Sequence, residues 1–224
     1  MVNISSRPVT LSPEEARRLD EALAAESPKF VHAARGPLTV LLLEQPFFKR
    51  HKLLVAQSPM AFPAQQVHAV VSPFGEVHVL TGHLEHLQRA AENERPIGLD
   101  GDELARAYAN VVDFWTTESE LGELLVESFD DIPFFPHPTP VERARIDVAR
   151  AKASARVQPP SLARIESGHL LTKWVVANKR LLKRELVVPV DGRVRRTDEI
   201  VLDELPVHAG NLWGMEGERL VPIG

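Results

Sequence analysis

The chain has 224 residues with 44% apolar side chains and a net charge of −5, enough to bury a core of ordinary size and unlike the composition of a disordered chain. It contains no cysteine, which excludes disulfides, thiolate metal sites and a cysteine nucleophile. No run of 18 apolar residues occurs, so no membrane partner is expected, and the start MVNISSRPVTLSPEEARRLDE lacks a basic-then-apolar signal pattern, so the expected compartment is the cytoplasm.

In chain order, Ser12-Pro13-Glu14-Glu15 reads as a helix start. Ser12 is the N-cap, Pro13 takes the first helical position and Glu15 closes a capping box, with the helix ending before Ser27-Pro28. Leu38–Leu43 and Lys52–Gln57 are apolar runs of strand length, and the two prolines between Ser58 and Pro63 exclude a sheet interior there. Gln65 to Glu94 has the pattern of a hairpin running into a helix. Val67, Ala69 and Val71 alternate with His68 and Val70, Ser72-Pro73-Phe74-Gly75 supplies the turn, and Val77 and Val79 return. Thr81 is the expected N-cap of a helix over 82–94 with Leu84, Leu87, Ala90 and Ala91 on one face. A second capping box, Asp100 to Glu103, opens a helix over 101–116 whose Leu104, Tyr108, Val111, Val112 and Trp115 show 3.6-residue periodicity.

The leucines of Glu120–Glu127 fit a short helix and its end fits a strand, and the strand is the preferred reading. Four prolines between Ile132 and Pro140 exclude regular structure, and Phe134 and Phe135 make that stretch a strap lying on the fold. Val141–Val157 fits a helix, although its apolar positions are not cleanly segregated and a strand through Arg145–Ala149 is the alternative. From Leu162 the pattern turns to strands, near 162–166, 169–177, 181–189 and 193–202, joined at Ser167-Gly168, Asn178-Lys179 and Asp191-Gly192. Beyond Pro206 the glycine-rich tail shows no secure element.

The expected fold is α+β, with antiparallel sheets and a few packed helices. The organisation is an N-terminal α+β half over 1–131, a proline-rich connection over 132–140 and a mainly β half over 141–224, which can pack as one domain. The hairpins around Gly75 and Gly192 echo one another, so two pseudo-duplicated helix-plus-hairpin halves are one way to build the chain. In general pattern only, these sheets resemble cystatin/NTF2-like folds, a likeness that carries no residue assignments.

Charge is unevenly spread. Between Val141 and Arg196 there are 14 Lys+Arg against five Asp+Glu, which leaves 12 basic and 26 acidic residues elsewhere. Lys179, Arg180, Lys183, Arg184, Arg193, Arg195 and Arg196 would line a basic C-terminal sheet. The expected function is therefore a non-catalytic adaptor that engages an acidic surface of another protein. Nucleic acid is a further alternative, weakened by the scarcity of aromatics for base stacking, with only Trp174 near. No phosphate loop or nucleophile elbow occurs, and no cofactor is implied.

The sharpest chemical constellation is histidine. His68, His78, His83 and His86 lie on the hairpin and the helix after it, and imidazoles are good ligands for divalent transition metals when three or four converge. That supports an alternative function as a pocket-containing enzyme or sensor with a His-based metal or ligand site. The spacing lacks the embedded glutamate of the HExxH metalloprotease motif. The carboxylate pairs Asp130-Asp131 and Asp198-Glu199 read as surface groups.

Overall fold

The computed structural model describes residues 5–34, 37–58, 65–94, 99–117, 123–207, 213–216 and 219–222. The fold is α+β with antiparallel sheets, divided into two compact units. The first comprises Met1–Glu118 together with Glu166–His169 and Val188–Val194, and the second comprises Ser119–Ile165, Leu170–Val187 and Arg195–Gly224.

The first unit holds a five-stranded sheet in the order β1 (Ser5–Pro8), β2 (Thr39–Glu44), β3 (Lys52–Ser58), β4 (Gln65–Val71), β5 (Val77–Val79). Pairing is antiparallel throughout, so sequence neighbours are spatial neighbours, and among the described residues β5 is an open edge. Alternation along the strands sends Ala56, Val67, Ala69 and Val79 to one face, where they pack on Leu19 and Leu23 of α1 (Pro13–Glu26) and Phe30 of α2 (Pro28–Ala33). Burial of that face is the main stabilising term, at roughly 25 cal/mol per Å² of apolar surface removed from water. His68 points the other way, its ring edge-on to Phe114 with centroids 5.1 Å apart. Phe114 belongs to α4 (Asp102–Thr116), which follows α3 (Leu84–Asn93).

The capping box at Ser12 and Glu15 forms as expected. The next two helix starts are corrected. Thr81 does not cap α3, because its hydroxyl accepts the His68 amide (3.0 Å) and Gly82, at φ +85°, inserts a further turn, leaving His83 at the N-cap without a side-chain bond. Helix α4 likewise begins one residue later, with Gly101 rather than Asp100 at the N-cap. Strand β1 and helix α2 were not expected, since four polar or proline residues and a six-residue segment carry too little periodicity to be recognised. The hairpin turn at Ser72–Gly75 forms as expected, with Gly75 at φ +80°.

Residues 188–194 belong with this unit through specific bonds. The buried Tyr108 hydroxyl donates to the Gly192 carbonyl (2.9 Å), and Gln88 donates to the Val194 carbonyl (2.6 Å). Burial, aided by the nearby Asp191 carboxylate, pushes the Tyr108 phenol up, so it stays a donor throughout the accessible pH range. Glu94 accepts the amides of Arg50 and His51 and lies 3.2 Å from the His51 ring. Desolvation alone would raise the Glu94 carboxyl, and these donors outweigh it and hold the group below the usual range.

The second unit is built on β10 (Arg195–Leu202), β9 (Arg180–Pro189), β8 (Gly168–Ala177) and β6 (Leu124–Val126), in that order, with β7 (Ser161–Ile165) also paired to β8. The turn between β8 and β9 places both Asn178 and Lys179 at positive φ (50° and 61°), the backbone of a tight hairpin. Helix α5 (Pro140–Ala153) resolves the open choice over 141–157, and it starts from a complete capping box at Thr139 and Glu142. Its Ala149 and Ala153 pack with Val126, Phe129, Ile132, Trp174, Val176 and Leu205 in one core cluster. The proline-rich strap is tied down within this unit, with Ile132 buried and Phe134 bridged to Val207. The tail forms a two-stranded sheet of β11 (Trp213–Glu216) and β12 (Arg219–Pro222).

Candidate functional site

The seven basic residues of the C-terminal strands do not form one continuous surface. Side chains alternate along β9, so Lys183 and Arg184 face opposite sides of the sheet. Arg184 is 2% exposed and holds Glu123 through both guanidinium NH2 groups and Asp198 at 2.8 Å. Lys183 pairs with Glu185 at 2.6 Å and Arg180 with Asp203 at 3.0 Å. Strand register sets Asp198 opposite Arg184 and Glu199 opposite Lys183, so the basic strand is matched by an acidic one. Arg193, in the first unit, pairs with Asp191 (2.7 Å) and Glu92 (3.2 Å). Lys179 occupies the β8–β9 turn, Arg195 opens β10 exposed and Arg196 is half-buried beside it. Trp174 is 5% exposed, with the Arg156 guanidinium 5.9 Å from its ring centroid, so its face is not offered to a nucleobase.

An apolar surface of the second unit runs along α5, apart from the exposed Leu125 and Ile200 on β6 and β10. Helix α5 has two apolar stripes. Ala149 and Ala153 point into the core, whereas Val141 and Val148 are 66% and 55% exposed. Between that outer stripe and the end of β10 runs a groove of about 700 Å³, floored by Val141, Ala144, Val148 and Leu205. Arg145 and Lys152 flank it on the helix side, Asp203 and Glu204 on the other. The Asp203 carboxylate is engaged by Arg180, an ion pair that holds it below its usual range. Imperfect segregation of the α5 apolar positions was the sequence signal for this surface, because a helix with two stripes covers only one of them.

The four histidines divide. His68 is 4% exposed, its ring packed edge-on against Phe114, and burial holds its imidazole well below the usual range, at about 4. It is a neutral core side chain. His78, His83 and His86 gather at the open edge of β5, with ring centroids 5.0 Å apart for His78 and His86 and 5.2 Å for the stacked His83 and His86. Both His83 ring nitrogens are engaged, Nδ1 with Glu85 (3.1 Å) and Nε2 with the Glu26 carbonyl (3.3 Å). The fourth member is one that the sequence did not suggest: Glu26, from the last turn of α1, whose carboxylate accepts the Val79 amide at 2.8 Å. No local pattern signals it, since 52 residues separate Glu26 from His78.

No protein-family model matches this chain, nor does any curated protein or solved structure.

Proposed function

We propose that this chain is a non-catalytic binding protein that takes an apolar segment of another protein, flanked by acidic residues, in the groove along α5. The observation that carries this is the exposed stripe of Val141, Ala144 and Val148 at helical spacing, facing Leu205 across an open groove. Surface valines scattered singly need no explanation, but a contiguous apolar trough with a charged rim has the anatomy of a peptide-recognition site. Charge supports the choice of occupant, because Arg145 and Lys152 are exposed on the rim and Asp203 is engaged by Arg180, which leaves Glu204 against two cations. The C-terminal basic sheet contributes less than its composition suggests, since Arg180, Lys183, Arg184 and Arg193 are all ion-paired within the chain.

The test is selection of peptides from a random displayed library on the purified chain, followed by fluorescence-polarisation titration of the enriched peptides. Val148→Asp puts an unpaired charge in the groove and weakens binding at least about tenfold, equivalent to roughly 1.4 kcal/mol. A Lys183→Glu, Arg195→Glu variant changes it less than about threefold, within the small effect of exposed charges. If peptides bind the groove variant as tightly as the wild type, the groove is not the site. If the sheet variant alone loses binding, the basic sheet takes its place.

A further inference from the structure

We propose that Glu26, His78 and His86 form a binding site for a divalent late first-row transition cation of the zinc class, with three protein ligands and open positions for exchangeable ones. Each residue offers one ring nitrogen or carboxylate oxygen, and these three atoms lie within 4.8 Å of one another. They come from three different elements, the end of α1, the edge strand β5 and the third position of α3, so the site exists only in the folded first unit.

Edge protection explains part of the cluster. The Val79 amide donates to Glu26 Oε2 (2.8 Å), and His86 Nδ1 lies 2.7 Å from the Val79 carbonyl, so both backbone groups of Val79 on the unpaired edge are satisfied by side chains. Edge protection leaves His78 and the second carboxylate oxygen unexplained. His78 Nδ1 and Glu26 Oε1 face each other at 3.9 Å, beyond hydrogen-bonding distance, with the His86 ring 5.0 Å from that of His78. With metal bonds of about 2.0–2.2 Å to nitrogen and oxygen, neighbouring ligand atoms of a tetrahedral ion lie roughly 3.3–3.5 Å apart. A cation between them therefore needs a contraction of about half an ångström across this pair and of at most about 1.5 Å across the widest separation in the cluster. The side chains are 30% (His78), 26% (Glu26) and 14% (His86) exposed, so none is sealed in the core and side-chain rotation is the route open to that contraction.

The bonds already present do the work of outer-shell contacts. A carbonyl only accepts, so the His86–Val79 bond puts the proton on Nδ1 and leaves Nε2 as the one lone pair of that ring. A cation that keeps this bond takes Nε2, the backbone-carbonyl-to-histidine arrangement that fixes ring orientation and tautomer at metal centres, and one that displaces it takes Nδ1, which lies 3.5 Å from Glu26 Oε2. The Val79 amide likewise fixes Glu26 by one oxygen and leaves the other to bind. Two imidazoles and one carboxylate favour zinc, nickel, copper or iron over calcium and magnesium, which take all-oxygen sets. His83 is a positioning residue, since both of its nitrogens are engaged and its ring stacks on His86.

The test uses the full, tag-free chain after chelator treatment. Zn²⁺ is titrated calorimetrically, and Co²⁺ is followed by its visible absorption. One equivalent binds the wild type. His78→Ala and Glu26→Gln each weaken Zn²⁺ more than about a hundredfold, whereas His83→Ala weakens it by less than that, within the roughly 10–100-fold range for an outer-shell contact. In case a variant is misfolded, ¹⁵N spectra of the wild-type histidine side chains give a second readout, with Zn²⁺ shifting the rings of His78 and His86 and leaving His68 and His169 unmoved. Binding below a tenth of an equivalent, Zn²⁺ affinity unchanged in His78→Ala, or shifts spread evenly over all the histidines overturns the proposal.

Discussion

His68 gives the fold a pH dependence that one substitution removes. Its imidazole is 4% exposed on β4 against the edge of Phe114, and burial lowers its pKa from 6.5 to about 4. The unfolded chain takes up the proton first as pH falls, so the contribution to stability is intact above about pH 6.5 and is lost between there and pH 4. With those two values the linkage relation gives a loss of about 2 kcal/mol between pH 7 and pH 5. His68→Leu cannot be protonated and loses this slope whatever it does to stability at pH 7. The assay is urea unfolding at both pH values in a background with Trp174 and Trp213 changed to Phe, leaving Trp115, which is 2% exposed, to report on the first unit. Every other titrating group is common to the two chains, so their contributions cancel in the difference between slopes. If wild type and His68→Leu differ by less than about 0.5 kcal/mol in their pH 7 to pH 5 change, burial of His68 does not govern its protonation and the reasoning is refuted.

In the second unit, Arg184→Met strands the carboxylates of Glu123 and Asp198. Breaking a buried pair costs about 3–5 kcal/mol, reduced here to roughly 2–3 because the partners are 22% and 30% exposed and regain water. Adding Glu123→Gln and Asp198→Asn to Arg184→Met recovers most of that loss, and Arg180→Ala at an exposed pair loses less than about 1 kcal/mol, all read by Trp174 fluorescence in denaturant. Gly168→Ala lowers first-unit stability by at least about 2 kcal/mol, measured in the same way with Trp115. Its Cβ would lie 2.2 Å from the Val188 carbonyl oxygen, and its φ of +141° is one that only glycine adopts without strain.

Local signals were strong wherever one segment carried its own hydrogen-bonding or burial requirement. The capping box at Ser12, the turn at Ser72–Gly75, the periodicity of Tyr108 to Trp115 and the short turns between the C-terminal strands all meet that condition, and the α+β class with antiparallel sheets follows from them. Thr81 and Asp100 were misassigned because each has good N-cap chemistry, yet the chain spends Thr81 on the His68 amide and begins α4 at Gly101. A side chain with two available partners is decided by which of them the tertiary structure brings within reach.

The charge on β9 was visible in composition, and its neutralisation was not. Arg184 and Asp198 sit symmetrically about the Asp191 turn, but only the actual register sets them opposite one another, and only burial makes that ion pair structural. The histidines clustered in sequence because a hairpin and the helix after it are contiguous in the chain. Glu26 joins them because α1 packs along the β5 face and ends where that strand's edge is unpaired. Residue type and spacing determine what a segment can form and which groups want partners. Which partners they find depends on packing between segments remote in sequence, and that is a property of the folded chain alone.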